Sequence, residues 1–176
     1  MVWTAHTVMT YSRRHTLSKT DEFNQYLRTP HMKDSREDFG LWAMKIAVLA
    51  SERSTCARRK TGAVAVGMDN RILSIGYNGV PHGVPHCIES PCPGANDPSG
   101  NTENCLAVHA EVNCVLNASS PKEISKIYCT ASPCLKCACV LANLPNLKEV
   151  WYLELYTDTR GVDLLTSCNI DCRRLK

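Results

Sequence analysis

The chain has 176 residues, 44% of them hydrophobic and 21% charged, which is the composition of a globular domain rather than of a disordered segment. Its formal net charge of +3 does not favour an extended nucleic-acid-binding surface. No apolar run approaches the roughly 20 residues that span a bilayer, and the N-terminus lacks the apolar core of a signal peptide. We therefore expect a cytoplasmic protein without a membrane partner.

Eleven cysteines are unusual for such a chain. In a small secreted domain they would indicate a disulfide framework, but thiols stay reduced inside cells. The odd number also fits poorly with complete pairing. Clustered cysteines are therefore interpreted as metal ligands.

The hydrophobic pattern predicts an N-terminal extension over residues 1–35 and one domain over residues 36–176. A helix is predicted behind a Ser35 cap, through "SREDFGLWAMKIAVLASERS". Two strands follow around the turn "MDNR". Residues 79–106 then form a proline-rich insertion, which needs something to hold it because long coils are uncommon.

The second half of the domain alternates helices and strands. The pattern predicts a helix at "AVHAEVNCVLNAS", a strand at "KIYCTAS", a helix from Pro133 through Leu141, a strand at "LKEVWYLELY" and a last edge strand at "CNIDCRRL". This order predicts an α/β fold in three layers, α-β-α, around a central mixed sheet of about five strands.

Two short motifs in these helices carry chemistry. Cys134 and Cys137 follow Pro133 at a spacing that puts both sulfurs on one helix face, and a helix N-terminus favours thiolates. With His109 they give three ligands of a tetrahedral Zn²⁺ site, and the fourth position stays open for water as in catalytic zinc centres. Glu111 lies beside His109 and can move protons without being a ligand. His-x-Glu followed by Pro-Cys-x-x-Cys is the signature of zinc deaminases that act on nucleobases.

Beyond these motifs, the chain resembles the deoxycytidylate (dCMP) deaminases of the cytidine deaminase-like superfamily over about residues 38–170. The resemblance rests on "STCARRKTGAVAV", "RILSIGYNGVPHG", "CLAVHAEVNCVL", "YCTASPCLKCACVLANL" and "VWYLELYTD". It implies the cytidine deaminase-like fold and hydrolysis of dCMP to dUMP and ammonia, which feeds thymidylate synthesis. It also implies that zinc activates the water that attacks carbon 4 of the cytosine. Glu111 would protonate ring nitrogen 3 and then pass a proton to the departing amine.

The resemblance further implies a homo-oligomer, a hexamer, with dCTP as activator and dTTP as inhibitor. Mg²⁺ would accompany dCTP. The "GYNG" turn is similar to the element that contacts the deoxynucleotide effector, and its glycines would let backbone approach the ligand closely. The effector candidates are Gly76, Tyr77, Asn78 and Gly79.

The substrate phosphate requires cations, for which "ARRK" at the end of the first predicted helix is the candidate. The alternative role of this cluster is favourable charge at a helix C-terminus. If it does bind phosphate, the substrate could be one held in a neighbouring subunit's site. Asn78 could bond the sugar, and Tyr156 could pack on the base or simply fill the core. The substrate-binding candidates are Arg58, Lys60, Asn78, Ser132 and Tyr156.

Four further cysteines suggest a second, structural Zn²⁺ that would tie the insertion to the first helix. Some dCMP deaminases are similar in carrying such an ion, with variable Cys and His ligands. The candidate ligands are Cys56, Cys87, Cys92 and Cys105. His86 is the alternative ligand and His82 a weaker one, and four buried free thiols are less expected in a polar loop. Of the remaining cysteines, Cys114 and Cys139 are expected in the core, and Cys168 and Cys172 as free thiols in a short strand.

Three other functions share parts of this pattern. A deaminase acting on RNA or single-stranded DNA would have the same zinc motif, but it needs a basic groove with aromatics, and only 6% of this chain is aromatic. A zinc-stabilised binding module would not need Glu111. A nucleoside deaminase would have no use for phosphate-binding cations. Free dCMP is therefore the expected substrate.

Overall fold

The structure is a computed structural model that describes residue 24, residues 37–98, residue 101 and residues 103–176. Except for Asn24, the extension predicted over residues 1–35 lies outside the described residues, and so does Ser35, the predicted cap of the first helix. The described part of the chain forms helices α1 to α4, strands β1 to β5 and a 3-10 turn in the order α1 (Phe39–Ser51), β1 (Gly62–Gly67), β2 (Ile72–Tyr77), α2 (Ala110–Asn117), the 3-10 turn (Pro121–Glu123), β3 (Ile124–Ala131), α3 (Leu135–Leu141), β4 (Glu149–Glu154), α4 (Arg160–Ser167) and β5 (Asp171–Arg174).

The strands form a mixed sheet in the order β2-β1-β3-β4-β5, which confirms the predicted sheet. β1 is antiparallel to both β2 and β3, whereas the β3–β4 and β4–β5 pairs are parallel. The carboxyl ends of β2, β3 and β4 therefore meet the amino end of β1 at one edge of the sheet. Ligands of open α/β sheets bind at such an edge.

The two faces of the sheet are covered by different helices, as the three-layer prediction requires. On one face, Met44 and Ala47 of α1 pack against Val64 and Val66 of β1. On the other face, α2, α3 and α4 pack against the alternate residues of the same strands, such as Ala63 and Ala65. The alternation follows from the two-residue period of a strand, and it makes β1 fully buried along its length.

Helix α1 differs from its prediction at both ends. It begins at Phe39, because Asp38 Oδ1 accepts a hydrogen bond from Leu41 N at 3.1 Å and caps the helix. It ends at Ser51, so Arg58 and Lys60 lie in the following loop rather than at a helix terminus. The helix C-terminus explanation for this basic cluster is therefore wrong.

Three smaller predictions also need correction. The sequence did not predict α4, whose Leu165 is fully buried, and the helix predicted from Pro133 begins at Leu135. Cys114 is buried as expected, but Cys139 is exposed on α3 because it points away from the sheet-facing side of that helix. Cys168 is a free thiol, but it caps α4 instead of lying in the last strand.

The insertion between β2 and α2 contains turns and one β-bridge, and no helix or strand in those of its residues that the structure describes. It is tied to the loop after α1, since Ile88 N donates to Thr55 O at 3.2 Å. None of the helices in the described ranges is long and apolar enough to cross a membrane.

Candidate active site

The start of α2 carries the imidazole ligand. His109 is the N-cap residue of α2, with an extended backbone, and its side chain makes no capping hydrogen bond. A β-bridge holds the preceding residue, because Val108 N donates to Gly79 O at 2.8 Å and Gly79 N donates to Val108 O at 3.2 Å. This bridge holds His109 close to the carboxyl end of β2.

Helix α2 lies unusually close to β2. A Cβ added at Gly76 would stand 2.3 Å from Ala110 O and 2.4 Å from Cys114 N, so only glycine allows this contact. Side-chain bonds complete it: Ser74 Oγ donates to Cys114 O at 2.6 Å, and Asn113 Nδ2 donates to Tyr77 O at 2.8 Å. The close approach at Gly76 is thus to the backbone of α2, and its effector role stays a prediction.

The two thiols come from the turn between β3 and α3. Cys134 is the N-cap residue of α3 and Cys137 lies in its first turn, where it is buried. The turn is anchored to β4, because Ser132 N donates to Glu154 O at 2.8 Å. Helix α4 packs directly against it, with the Cβ position of Gly161 only 2.1 Å from Pro133 O.

The three predicted ligands are brought together. Nδ1 of His109 lies 3.5 Å from Sγ of Cys134 and 3.3 Å from Sγ of Cys137. Tetrahedral zinc with bonds of about 2.3 Å to sulfur and about 2.0–2.1 Å to nitrogen would place N and S about 3.6 Å apart. The donor set therefore fits zinc in both chemistry and spacing. Among the residues that the structure describes, it is the one set of three or more His, Cys, Asp or Glu side chains whose ligand atoms all lie within 4.8 Å of one another.

Glu111 stands beside this set but is not part of it. Its side chain is only 4% exposed and lines the same cavity as His109 and Cys134. Burial raises the pKa of the Glu111 carboxyl, and the neighbouring imidazole opposes that rise. Burial therefore favours the protonated form of this carboxyl, which is a property of groups that carry protons in catalysis.

Hydrogen bonds within the ligand set shift the pKa values of its members. The hydrogen bond from Cys137 and the one with His109 lower the pKa of the Cys134 thiol to about 4, against the effect of burial. The pKa of the Cys137 thiol is raised by its bond with Cys134 and by burial. Bonding to Cys134 also raises the pKa of the His109 imidazole. The hydrogen bonds of the set therefore favour a thiolate, which is the form of cysteine that binds metal.

A cavity of about 430 Å³ opens over these groups at the sheet edge. Its wall includes Asn78 after β2, Ser132 after β3 and Tyr156 after β4, all predicted to bind substrate, together with Arg58. The other predicted cation, Lys60, is exposed and does not line it. Gly76, Tyr77 and Gly79 are also outside the lining.

Arg59 is a cavity residue that sequence reasoning did not single out. Its guanidinium carbon lies 5.4 Å from the centre of the Tyr156 ring, and its Nη2 donates to Glu154 Oε2 at 3.1 Å. Arg58 instead points into the insertion, where its guanidinium donates to the carbonyls of Pro98 at 2.9 Å and Asn101 at 2.8 Å. Three adjacent cations in a loop give no sequence signal for which one faces a cavity.

Contacts link some of the four cysteines that are predicted to bind a second zinc. Cys56, Cys87 and Cys92 are buried and Cys105 is half-buried. Cys92 N donates to Cys87 Sγ at 3.4 Å, and Gly94 packs on Cys105 with its Cβ position 2.5 Å from Cys105 N. No three of the four sulfurs lie mutually within 4.8 Å, unlike those of the His109 set.

The comparison with protein families decides the class of this site. A family model described as the cytidine and deoxycytidylate deaminase zinc-binding region matches residues 39–154, which include every zinc ligand inferred above. The chain belongs to this deaminase family. Its zinc-binding character is therefore shared with the family and agrees with the geometry of His109, Cys134 and Cys137.

Several relatives of this chain are named deoxycytidylate deaminases. A deoxycytidylate deaminase of Schizosaccharomyces pombe is 34% identical over 145 residues, which are 79% of this chain and 44% of the relative. One from Mycobacterium phage D29 is 38% identical over 115 residues, or 61% of this chain and 89% of the relative. The chain thus spans less than half of the yeast relative and most of the phage one.

A solved structure shares the fold. The dCMP deaminase of cyanophage S-TIM5, determined in complex with dCMP and dUMP, is 28% identical with a TM-score of 0.63. The match covers 81% of this chain and all of that one.

We expect Gly161→Ala to weaken zinc binding in this deaminase domain. The added Cβ would lie 2.1 Å from Pro133 O and 2.7 Å from Cys134 C, so α4 or the ligand turn must move. Displacing a support of the ligands costs about tenfold in zinc affinity, measured by competition with a chelator. Arg160→Ala, at an exposed neighbouring position, is the matched control and should bind zinc as the wild type does. Unchanged zinc affinity in Gly161→Ala would contradict the account of this contact.

Proposed function

We propose that the protein is a zinc-dependent dCMP deaminase, which converts dCMP and water to dUMP and ammonia. The observation that carries the proposal is the buried Glu111 carboxyl beside the His–Cys–Cys set, within a cavity that also presents an arginine and an aromatic ring. The complex of the cyanophage relative with dCMP and dUMP supports the same substrate and product here. The polynucleotide alternative shares the same set of zinc ligands, so the choice of substrate separates the two functions.

In this proposal His109, Cys134 and Cys137 hold the zinc. Zinc, when bound, supplies a Lewis acid that makes water a nucleophile near neutral pH. Glu111 accepts a proton from the water and delivers it to ring nitrogen 3. It then takes the second proton from the hydroxyl now on carbon 4 and passes it to the amine, which leaves as ammonia. A raised pKa makes the Glu111 carboxylate a stronger base than an exposed one, so it takes a proton from water more readily and can release it again.

Tyr156 and Ser132 are proposed to position the base and sugar. Ser132 Oγ accepts a hydrogen bond from Tyr156 N at 2.8 Å, which fixes the backbone of the tyrosine at the cavity wall. Its ring can then stack on the pyrimidine, because aromatic faces pack favourably at short range. Asn78 is retained as a candidate for a contact with the sugar, since its Nδ2 carries two N–H groups and the bond to Arg59 O uses one of them.

We infer that Arg59 is the principal ligand of the substrate phosphate. It lines the cavity beside Tyr156, whereas Arg58 uses two guanidinium nitrogens to hold the insertion that forms part of the wall. Arginine binds phosphate through a planar fork of donors, which strengthens both affinity and orientation. Lys60 is exposed, so a phosphate contact from it fits a neighbouring subunit's site better than its own.

A structural zinc in the insertion is the second part of the proposal. Cys87 and Cys92 are buried, whereas the four residues between them, such as Ile88 at 56% exposure, are exposed. The coil therefore lacks an apolar core that would explain burial of its thiols. Zinc binding would draw the sulfurs into one tetrahedral set and contribute folding free energy. His86 remains an alternative ligand.

Regulation and assembly are proposed from the family resemblance. We infer activation by dCTP with Mg²⁺, inhibition by dTTP, assembly into a hexamer and a supply of dUMP for thymidylate synthesis. Tyr77 is partly exposed at the end of β2 and lies outside the cavity lining, which would allow an effector to bind without displacing substrate. Cytoplasmic location stays a prediction.

The direct test is deamination, followed by ultraviolet absorbance, of dCMP, cytidine, dCTP and a short single-stranded DNA. Each reaction is run with and without dCTP and Mg²⁺ as effector. Conversion of dCMP alone supports the proposal, and a rate that depends on dCTP supports regulation. Conversion within DNA but not of free dCMP would replace the proposal with the polynucleotide alternative.

Glu111→Ala should keep its zinc and lose turnover. The carboxyl is outside the ligand set, so its removal leaves the metal donors unchanged. Loss of a general acid–base group lowers the rate by about 10²–10⁴-fold. Zinc content by atomic absorption and dCMP turnover check both halves, with His109→Ala as the control that loses metal. A Glu111→Ala protein that had lost zinc would show that Glu111 is a ligand.

Arg59→Ala should impair the use of dCMP far more than that of deoxycytidine. Hydrogen bonds to charged groups contribute about 1.5–3 kcal/mol, which corresponds to about a 10- to 100-fold rise in KM for the phosphorylated substrate. Steady-state kinetics on both substrates measure the ratio. Arg53→Ala removes an exposed cation of the same loop that does not line the cavity, and it serves as the control. Equal effects of Arg59→Ala on the two substrates would remove Arg59 from the phosphate site.

Cys92→Ser should release one zinc per chain and lower the free energy of unfolding by several kcal/mol, because structural zinc contributes folding free energy. Zinc is counted per chain and stability is measured by denaturant unfolding. Cys139→Ser alters an exposed thiol that is no candidate ligand, and it should change neither quantity. The same zinc count in Cys92→Ser and wild type would overturn the second site.

A further inference from the structure

Asn78 connects two parts of the site through its own carboxamide. It is the residue after β2, its side chain is buried, and it lines the cavity. Its Oδ1 accepts a hydrogen bond from Ala110 N at 2.8 Å, and its Nδ2 donates to Arg59 O at 3.2 Å. One amide group therefore touches both the first residue of α2 and the backbone of the residue assigned to phosphate.

The start of α2 needs this contact. A helix begins with backbone N–H groups that have no partner inside the helix, and the N-cap side chain normally satisfies one of them. The N-cap residue here is His109, whose side chain makes no such bond. Its Nδ1 faces Cys134 and Cys137 instead. Asn78, which follows β2, thus caps the Ala110 N–H in place of the N-cap side chain. The His109 imidazole is therefore free to serve as a metal ligand.

The backbone of Asn78 is equally fixed. Its N–H donates to Thr61 O at 3.0 Å, and its carbonyl accepts bonds from Thr55 N at 3.1 Å and from Ser54 Oγ at 2.9 Å. These partners lie in the loop between α1 and β1 that also carries Arg59. The carboxamide is therefore fixed relative to this loop, and it does not follow α2 if the helix moves.

We propose that Asn78 is a positioning residue that fixes the start of α2, with its zinc ligand and proton carrier, relative to the Arg59 backbone. The link to α2 stands on the zinc site alone, whereas the link to Arg59 rests on the proposed function. An asparagine suits both, since it presents an acceptor and a donor on one planar group. Aspartate keeps the acceptor for Ala110 N–H but replaces the donor to Arg59 with a second oxygen.

The two links are separated by two substitutions. Asn78→Ala removes both, so zinc affinity should fall by about tenfold or more, which is the usual effect of removing support from metal ligands. Asn78→Asp keeps the cap, so its zinc affinity should stay within about threefold of wild type. Its KM for dCMP should rise by about tenfold without a matching rise for deoxycytidine, because the displaced Arg59 no longer meets the phosphate.

Asn117→Ala is the matched control. Asn117 also joins α2 to β2, donating from Nδ2 to Ile75 O at 3.0 Å, but it lies at the other end of the helix. It should lower the thermal unfolding temperature without changing zinc affinity. Zinc affinity is measured by chelator competition on each full-length variant, and His109→Ala identifies the release step that belongs to this site.

The outcomes decide between positioning and general stability. Wild-type zinc affinity in folded Asn78→Ala, or a loss in Asn78→Asp as large as in Asn78→Ala, would overturn the cap. A loss of zinc in Asn117→Ala equal to that in Asn78→Ala would show a general loosening of α2 and would also overturn it. An unchanged ratio of the two KM values in Asn78→Asp would overturn the link to Arg59. If no variant, wild type included, converts dCMP, the proposed function fails while the zinc measurements still decide the cap.

Discussion

The backbone contact between α2 and β2 is the constraint on which the site depends. Gly76 has no side chain, so α2 can approach until the Ala110 carbonyl oxygen lies 2.3 Å from the position that a Cβ would take. Only at that distance can Asn113 and Asn117 donate to the carbonyls of the strand edge, and these bonds satisfy backbone groups that an edge strand otherwise leaves open. Fixing α2 in this way places His109 and Glu111 at the sheet edge where the other strands end.

The same edge explains why residues far apart in the chain share one cavity. The strands β2, β3 and β4 all end there, and each is followed by a cavity residue: Asn78, Ser132 and Tyr156. The parallel β3–β4 pairing also fixes the thiol turn, because Ser132 bonds to the last residue of β4. Glu111 is buried by this assembly, and its raised pKa is a consequence of the fold rather than of any one neighbour.

The ligand set could be predicted from sequence because its information is local. Three-residue spacing in a helix and the His-x-Glu pair fix relative positions within one turn, and the side chains have few other uses together. The mixed sheet followed from the alternation of elements. Helix α4 was missed, since Gly161 in its first turn lowers helix propensity, yet that glycine is what allows contact with Pro133.

Contacts between distant segments could not be predicted in this way. The bond from Ala110 N to Asn78 spans 32 positions, and the sequence indicated Asn78 only as a contact for substrate or effector. Arg59 was hidden between two other cations, because a loop has no period that assigns side chains to a face. The tie from Arg58 to the insertion spans 40 positions or more and was equally out of reach.

The central claim is that His109, Cys134 and Cys137 form an open zinc centre with Glu111 beside it as a non-ligand. Anomalous diffraction at the zinc edge from crystals of the protein tests this most directly. The account predicts a zinc peak at about 2.0–2.1 Å from His109 Nδ1 and about 2.3 Å from both sulfurs, with a fourth ligand that is not protein. A zinc ion bonded by the Glu111 carboxylate, or no peak between these three residues, would contradict it.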